Sequence, residues 1–583
     1  MRMLFLLSAA CLALTGCASH RTVPAPVQPV DVKLIAFNDF HGNISPPRVS
    51  IEATDASGAP VRVAAGGVAY LASAIDSLRA QNPNHAVVSA GDMIGATPIN
   101  SALFLDEPTI LAMNMIGVDF NAAGNHEFDK GRAELLRIQG GGCVKNTQLE
   151  PCRVDKPFPG ATFPILTANT MTETGLPLLA PTGLKSFGTG KRRVTIGFIG
   201  LTLTGTPNLV SPSGVAGLTF ADEAATANAL IPQLKAKGAD AIVVLIHQGL
   251  YTSVGYNDKS CGGMSGDLMA VLDKLDPAVD VVVSGHTHVS YICDYAKVNP
   301  ARPFLVTSAG KNGMFLSDIR LSIDPVAGRV MAKSADNMVV QSEAFQGLRG
   351  FVALRDDFPK FSPRADLAAL VSRYDAAAKQ EATRVVGKLT GAATTAKSPS
   401  RESLLGNLIA DSQWAATAAA DKGGAQLALM NPDGLRVDIV PDASGNVTFG
   451  SLFAAQPFSN AVLVKTLTGA QIRAVLEQQF NDPQWTRVLS PSQGFRFSYD
   501  MSKPEGQRIL TMSLNGTPIS PEARYRVAMN SFLASGGDKF SAFKDGTEAV
   551  TGPLDIEALM AWLSGPSPRA LPALDRVTNL TPQ

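Results

Sequence analysis

Five short segments hold most of the residues in this chain that could do chemistry. They are Asn38-Asp39-Phe40-His41-Gly42, Ser89-Ala90-Gly91-Asp92-Met93, Gly124-Asn125-His126-Glu127-Phe128-Asp129, Ile246-His247-Gln248 and Ser284-Gly285-His286-Thr287-His288. Each sits at the end of a short apolar run. Imidazoles and carboxylates are side chains that hold divalent transition metals. Five of the chain's seven histidines fall in these segments (His41, His126, His247, His286 and His288), while His20 and His85 stand apart and read as surface or spacer residues. A single Asp-x-His is weak, because a histidine at a strand end is more often structural. Five such segments in one stretch point to one constellation, since loops leaving the carboxyl ends of strands in an open α/β sheet converge on a ligand site.

The elements that must position these segments are legible as well. From Val32 to about Ala335, short Val- and Ile-rich runs alternate with helical stretches. The runs include Lys33–Phe37, Ala86–Ser89, Ala241–Ile246 and Val279–Val283, and the helical stretches include Gly67–Leu78 and Phe220–Lys237. Continuous apolar strands between helices predict a layered α/β domain whose strands are buried on both faces. The punctuated stretch Arg355-Asp356-Asp357-Phe358-Pro359-Lys360-Phe361 breaks that pattern. Ser362 then reads as an N-cap with Pro363 at the first helical position, and Leu367, Leu370, Val371 and Tyr374 follow at helical spacing. The expected organisation is a domain over 31–345, a linker with its helix over 346–381, and a smaller domain over 382–583. The last opens with a helix over Leu404–Ala420 and continues through strand and turn signals such as Asn515-Gly516.

Composition excludes whole classes. The chain has 583 residues, roughly two to four domains' worth. Its 45% hydrophobic and 17% charged content rules out disorder. Fifty basic side chains balance fifty acidic ones. That neutrality argues against a nucleic-acid binder, which needs a basic face.

The N-terminus reads as an address over residues 1–17: a basic start, an apolar run Leu4–Leu14, then Leu14-Thr15-Gly16-Cys17, which resembles a bacterial lipobox. The expectation is an exported, periplasmic or cell-envelope lipoprotein anchored to the membrane through a lipid on Cys17. A plainly cleaved signal peptide is the rival. Residues 18–30, with Val23-Pro24-Ala25-Pro26, read as an extended spacer. Export fits the remaining four cysteines, Cys143, Cys152, Cys261 and Cys293. Three disulfide connectivities are open, and proximity favours Cys143–Cys152 with Cys261–Cys293. A zinc site is disfavoured, since no Cys-x-x-Cys spacing occurs.

The order Asp-x-His, Gly-Asp, Gly-Asn-His-Glu, His, Gly-His-x-His resembles the calcineurin-like metallophosphoesterases over roughly residues 31–340. The resemblance implies a four-layer αββα domain holding two divalent ions (zinc, manganese or iron) about 3.5–4 Å apart. Matched by motif, Asp39, His41, Asp92 and His288 would hold the first ion, and Asp92, Asn125, His247 and His286 the second, with Asp92 bridging. His126 would be catalytic rather than a ligand, facing the substrate to stabilise the charged transition state or protonate the leaving oxygen. Asp129 would hold its tautomer, although a carboxylate there could equally serve a helix start.

The second domain resembles the C-terminal domain of the 5'-nucleotidase family. The match rests on Arg401-Glu402-Ser403-Leu404-Leu405-Gly406-Asn407-Leu408, Asn431-Pro432-Asp433-Gly434-Leu435-Arg436, Gln456-Pro457-Phe458 and Asn530-Ser531-Phe532-Leu533-Ala534-Ser535-Gly536-Gly537-Asp538. It implies an α+β domain in which Asn431, Arg401 and Arg436 bind substrate, the arginines at its phosphate or terminal anion. Phe458 and Phe532 would sandwich the base, and Asp538 would take the ribose hydroxyls. Pro432 and Asp433 interrupt the family's usual glycine run, placing a negative charge near a phosphate site. The implied activity is release of phosphate from nucleotides, nucleoside 5'-monophosphates foremost, by metal-activated water. The alternatives are a UDP-sugar or dinucleotide pyrophosphatase, a 2',3'-cyclic nucleotide phosphodiesterase, and a metal-dependent binding lipoprotein without turnover.

Overall fold

The computed structural model describes residues 28–582, apart from 56, 148, 211–212, 348–349, 459 and 482–485. The expected signal segment, Cys17 and most of the spacer lie outside the described residues.

The strand-like runs assemble into two six-stranded sheets. In the first, Val30–Phe37, His85–Ser89, Phe120–Ala122 and Ile165–Leu166 run parallel, and the hairpin Phe315–Asp324/Arg329–Val339 adds antiparallel at one side. In the second, Val194–Thr202, Ala241–His247, Val281–Ser284 and Leu305–Ala309 are parallel, flanked by antiparallel Thr182–Phe187 and Ser290–Asp294. Strand side chains alternate between faces. Leu34 and Ala36 therefore face the other sheet, meeting Phe198, Val243 and Leu245, while Ile35 and Phe37 face helices. Helices Val68–Arg79 and Glu107–Ile116 cover the first sheet, and Glu223–Ala236 and Leu268–Leu272 cover the second. The result is the expected αββα stack. Burial on both faces is why these strands read as unbroken apolar runs.

The connector helix spans Ala365–Ala382 and packs Leu367, Leu370, Tyr374 and Ala378 into the first domain's outer core. Its N-cap is Arg364, not Ser362 as the sequence suggested. Tertiary partners override the local cap there. The Arg364 guanidinium donates to Asp366 and Asp76, and the Ser362 carbonyl accepts a 2.6 Å bond from Ser73 Oγ.

Beyond it, a five-stranded mixed sheet and a four-stranded sheet form the smaller second domain. The helix expected over Leu404–Ala420 ends at Thr417, with Ser403 Oγ capping its start through the Gly406 N–H. Both favoured disulfides, Cys143–Cys152 and Cys261–Cys293, are formed.

Candidate metal centre and substrate cavity

All five chemistry-bearing segments emerge at the carboxyl ends of parallel strands and meet at one place. Asp39 and Asp92 are 0% and 1% exposed, and no Lys or Arg pairs with either among the described residues. Imidazoles surround them instead. His288 Nε2 stands 3.4 Å from Asp39 Oδ1, His247 Nε2 stands 3.1 Å from Asp92 Oδ2, and His41 Nε2 lies 3.7 Å from Asp92 Oδ2 and 3.1 Å from His288 Nε2. The ligand-type atoms gather into three overlapping groups: Asp39, His41 and His288; Asp92, His247 and His286; and His41, Asp92 and His126. Asp92 belongs to two of them, as a bridging carboxylate would.

The donor set fits a pair of divalent cations. Burying two carboxylates without cations is costly. Burial alone would lower the pKa of His247, but the Asp92 carboxylate beside it pushes it up to about 10. At Asp39, burial favours the neutral form but His288 and His247 outweigh it and hold the carboxyl down at about 2. Asn125 Oδ1 is buried without a hydrogen-bond partner, an acceptor left over for a cation. Other imidazole nitrogens are committed in ways that aim the rings. His41 Nδ1 is 2.9 Å from the Gly95 carbonyl and His247 Nδ1 is 2.8 Å from that of Ala90. Such outer contacts fix the tautomer of a metal-binding histidine.

The backbone bends to achieve this. Asp39, His41, Asp92, His286 and His288 all adopt positive φ, between 47° and 72°. Left-handed geometry costs non-glycine residues about 1–2 kcal/mol each. Asp39 and Glu127 help to hold it. The His286 N–H donates to Asp39 Oδ2 at 2.9 Å. The buried Glu127 carboxylate accepts from the N–H groups of Gly124 (2.6 Å), Met93 (2.9 Å) and Asp92 (3.0 Å), so it locks two metal loops together. Sequence reasoning assigned Glu127 no role. A carboxylate inside a ligand motif gives no sign that it faces backbone instead.

His126 differs from the other histidines. Its Nδ1 lies 2.7 Å from Asp129 Oδ2 and its N–H donates to Asp92 Oδ1 at 2.9 Å. Burial alone would lower its pKa, but Asp129 and then Asp92 raise it above the ordinary histidine value.

A cavity of about 470 Å³ runs from this centre into the second domain. Asp92, Asn125, His126 and His288 line it from the first domain, and Asn431, Arg436, Phe458, Phe532 and Asp538 line it from the second. Asn431 Nδ2 donates to Asp538 Oδ2 at 2.7 Å, and Asn530 Nδ2 donates to Asn431 Oδ1. Phe532 lies against Gly537, where a Cβ would come within 2.5 Å of the ring. Arg436 is set over the Phe458 ring at 5.7 Å. Arg401 is not brought in: it is exposed in a turn at φ 68° and does not line the cavity. Asp433, the departure noted in the sequence, is paired. Arg487 Nε donates to it at 2.6 Å and also lines the cavity, so the extra charge is neutralised by a residue 54 positions away.

Comparison with known proteins divides the chain in the same two parts. The family model for calcineurin-like phosphoesterase matches residues 32–290, and that for the 5'-nucleotidase C-terminal domain matches residues 385–545. Endonuclease YhcR of Bacillus subtilis is 30% identical over 92% of this chain, which spans 40% of that protein's length. NAD 5'-nucleotidase of Haemophilus influenzae is 24% identical over 92% of this chain and 90% of its own. The solved structure of a 5'-nucleotidase precursor from Thermus thermophilus shares the fold, with TM-score 0.70 and 24% identity over 94% of this chain and 99% of that one.

Proposed function

Because the chain belongs to the 5'-nucleotidase family, a calcineurin-like phosphoesterase domain joined to a 5'-nucleotidase C-terminal domain, and so is a metal-dependent phosphoric ester hydrolase, we propose that it removes phosphate from nucleoside 5'-monophosphates. The observation that carries this reading is the single cavity that joins the Asp/His cluster to Phe458, Phe532 and Asp538. A nucleoside seated on the aromatic and carboxylate end would present its 5'-phosphate to the other.

Asp39, His41, Asp92 and His288 would hold one divalent ion, and Asp92, Asn125, His247 and His286 a second; bound there, they supply Lewis acidity and lower the pKa of water. With Nδ1 engaged by Asp129, His126 keeps Nε2 to hold or deliver a proton at the leaving oxygen. Arg436 offers a forked guanidinium to the phosphate oxygens. Phe532 stacks the base, and the Asp538 carboxylate accepts from the ribose hydroxyls. The domain division near residues 345 and 382 belongs to the same proposal.

Chromatographic analysis of the products formed from a panel of nucleoside monophosphates, UDP-glucose, NAD and 2',3'-cyclic nucleotides tests it. Preference for the monophosphates is expected; preference for a diester would replace the reading. Pyrophosphatase action on a dinucleotide is the second reading, favoured by the likeness to the Haemophilus NAD 5'-nucleotidase over nearly the whole chain.

Export with a lipid on Cys17 is proposed from the apolar run Leu4–Leu14, its lipobox-like end and the two disulfides. Intact mass of the envelope-extracted protein should show acylated Cys17 as the first residue. A free N-terminus elsewhere would replace the anchor with a cleaved signal.

A further inference from the structure

Lys311 is absent from the motifs and has no role in the reading above, yet it lines the cavity beside the proposed metal ligands. Its placement is built in. The loop that carries it is tied on both sides to the Asn38-Asp39 motif. Asn38 Nδ2 donates to the Gly310 carbonyl at 2.7 Å, Asn38 Oδ1 accepts from the Ala309 N–H at 2.7 Å, and the Asn312 N–H donates to the Asp39 carbonyl at 2.7 Å. Asn43 Nδ2 adds a 3.1 Å bond to Asn312 Oδ1. Lys311 is thus a cation on a pinned backbone, one residue from two anchors.

Among the described residues, no hydrogen bond or ion pair engages the Lys311 ammonium, and none engages the Arg436 guanidinium, which has only the Phe458 ring beneath it. The two come from different domains and converge. Burial lowers the pKa of Lys311 first and the like charge of Arg436 lowers it further. Two cations that line one cavity repel each other unless an anion is bound with them. Of the acids that act on Arg436, Asp92 and Asp39 belong to the proposed cation cluster, Asp433 is paired with Arg487 and Asp129 with His126.

We propose that Lys311 and Arg436 form an anion subsite bridging the domains, which takes the non-bridging oxygens of a terminal, dianionic phosphoryl group and so selects monoesters over diesters. This deepens the phosphohydrolase reading above and rests on it. A terminal phosphate carries a charge of about −1.5 to −2 near neutral pH and offers three acceptor oxygens. A diester carries one charge and puts an ester substituent where the third oxygen would meet Lys311. The subsite therefore gains an interaction with one class and loses it, with added bulk, for the other.

The test uses two chromogenic substrates without a nucleoside, 4-nitrophenyl phosphate and bis(4-nitrophenyl) phosphate, on the full chain loaded with metal. Lys311→Met keeps the length of the side chain and removes its charge, and a lysine that lines a cavity without a hydrogen-bond or ion-pair partner should be dispensable for folding. The variant should lose about 10- to 100-fold in kcat/KM on the monoester, the worth of one charge-assisted hydrogen bond, and less than about 3-fold on the diester. Lys311→Arg should recover most of the loss. Calorimetry with inorganic phosphate gives a readout apart from turnover: its Kd should rise by a similar factor in Lys311→Met while metal content stays at the wild-type level. Equal losses on both substrates, an unchanged phosphate Kd, or a wild-type enzyme that prefers the diester would each overturn the subsite. Failure of the nucleotide reading would look different, with the chromogenic monoester cleaved and nucleoside monophosphates ignored.

Discussion

Phe458 and His126 belong to different domains, yet their rings are stacked, with centroids 5.7 Å apart and planes inclined by 17°. An aromatic ring has two faces. With the imidazole against Phe458 and Arg436 set over the same ring, a nucleobase competes for Phe458 in this arrangement. Phe532 packs one side on Gly537 and faces the cavity, which makes it the cleaner base-stacking candidate.

The two phenylalanines should accordingly fail in different ways. Phe532→Ala should lower kcat/KM for a nucleoside monophosphate by about 1–3 kcal/mol of lost stacking and leave 4-nitrophenyl phosphate nearly untouched. Phe458→Ala should impair both substrates, because it also uncovers His126. Parallel kinetics on the two substrates decide this. Equal losses for Phe532→Ala would make that ring a packing residue.

His126 and Asp92 should separate catalysis from metal binding. Asp92→Ala should lose metal and activity together, since its carboxylate faces both His247 and His41. His126→Ala should keep its metal and lose about 10²–10⁴-fold in turnover. Metal analysis of the purified variants is the measurement. His126 ligand atoms also lie within reach of those of His41 and Asp92, so metal loss in His126→Ala would make it a ligand and remove the acid role.

The Cys261–Cys293 bridge closes 32 residues and fastens the segment after His247 to the strand that follows His288. Replacing both cysteines with serine should cost about 2–4 kcal/mol of stability, measured by denaturant unfolding. Because this bridge supports loops bearing two proposed ligands, metal retention should fall in the same variant before the fold is lost.

The Asp/His cluster was legible because histidine is rare in this chain and each motif follows a strand buried on both faces. Val30–Phe37 and Ala241–His247 read as continuous apolar runs for the same reason that they end at the site. The features that stayed hidden depend on tertiary partners. The positive φ of Asp39 and His286 leaves no mark on composition, and nothing in the motif around Glu127 shows that it binds backbone N–H groups. Arg487 sits 54 residues from the Asp433 it neutralises, with no motif around it. Arg401 matched a motif, but its turn keeps it out of the cavity. Ser362-Pro363 had the sequence of a cap, and Arg364 took the position through its contact with Asp76.

Asp538 gives the cavity a pH response that the metal end does not share. Burial, and then the nearby Asp433 carboxylate, push its pKa up to about 7, against the pull of Arg487 and the Asn431 amide. A raised carboxyl pKa means the charge is lost early on acidification, so Asp538 is ionised above about pH 7 and neutral below it. The ionised form accepts from both ribose hydroxyls, while the neutral acid gives up one acceptor to its own proton. Affinity for a nucleoside monophosphate should therefore fall as pH drops through about 7. A phosphate ester without ribose should not show that limb. In Asp433→Asn the repelling charge is gone, which lowers the Asp538 pKa. The acid limb of KM for the nucleotide should then move to lower pH, with the profile for the ribose-free ester unchanged. KM measured against pH for both substrates in both proteins decides it. An acid limb common to the two substrates would place its origin in the metal ligands or His126 instead, and a limb that stays put in Asp433→Asn would separate Asp538 from it.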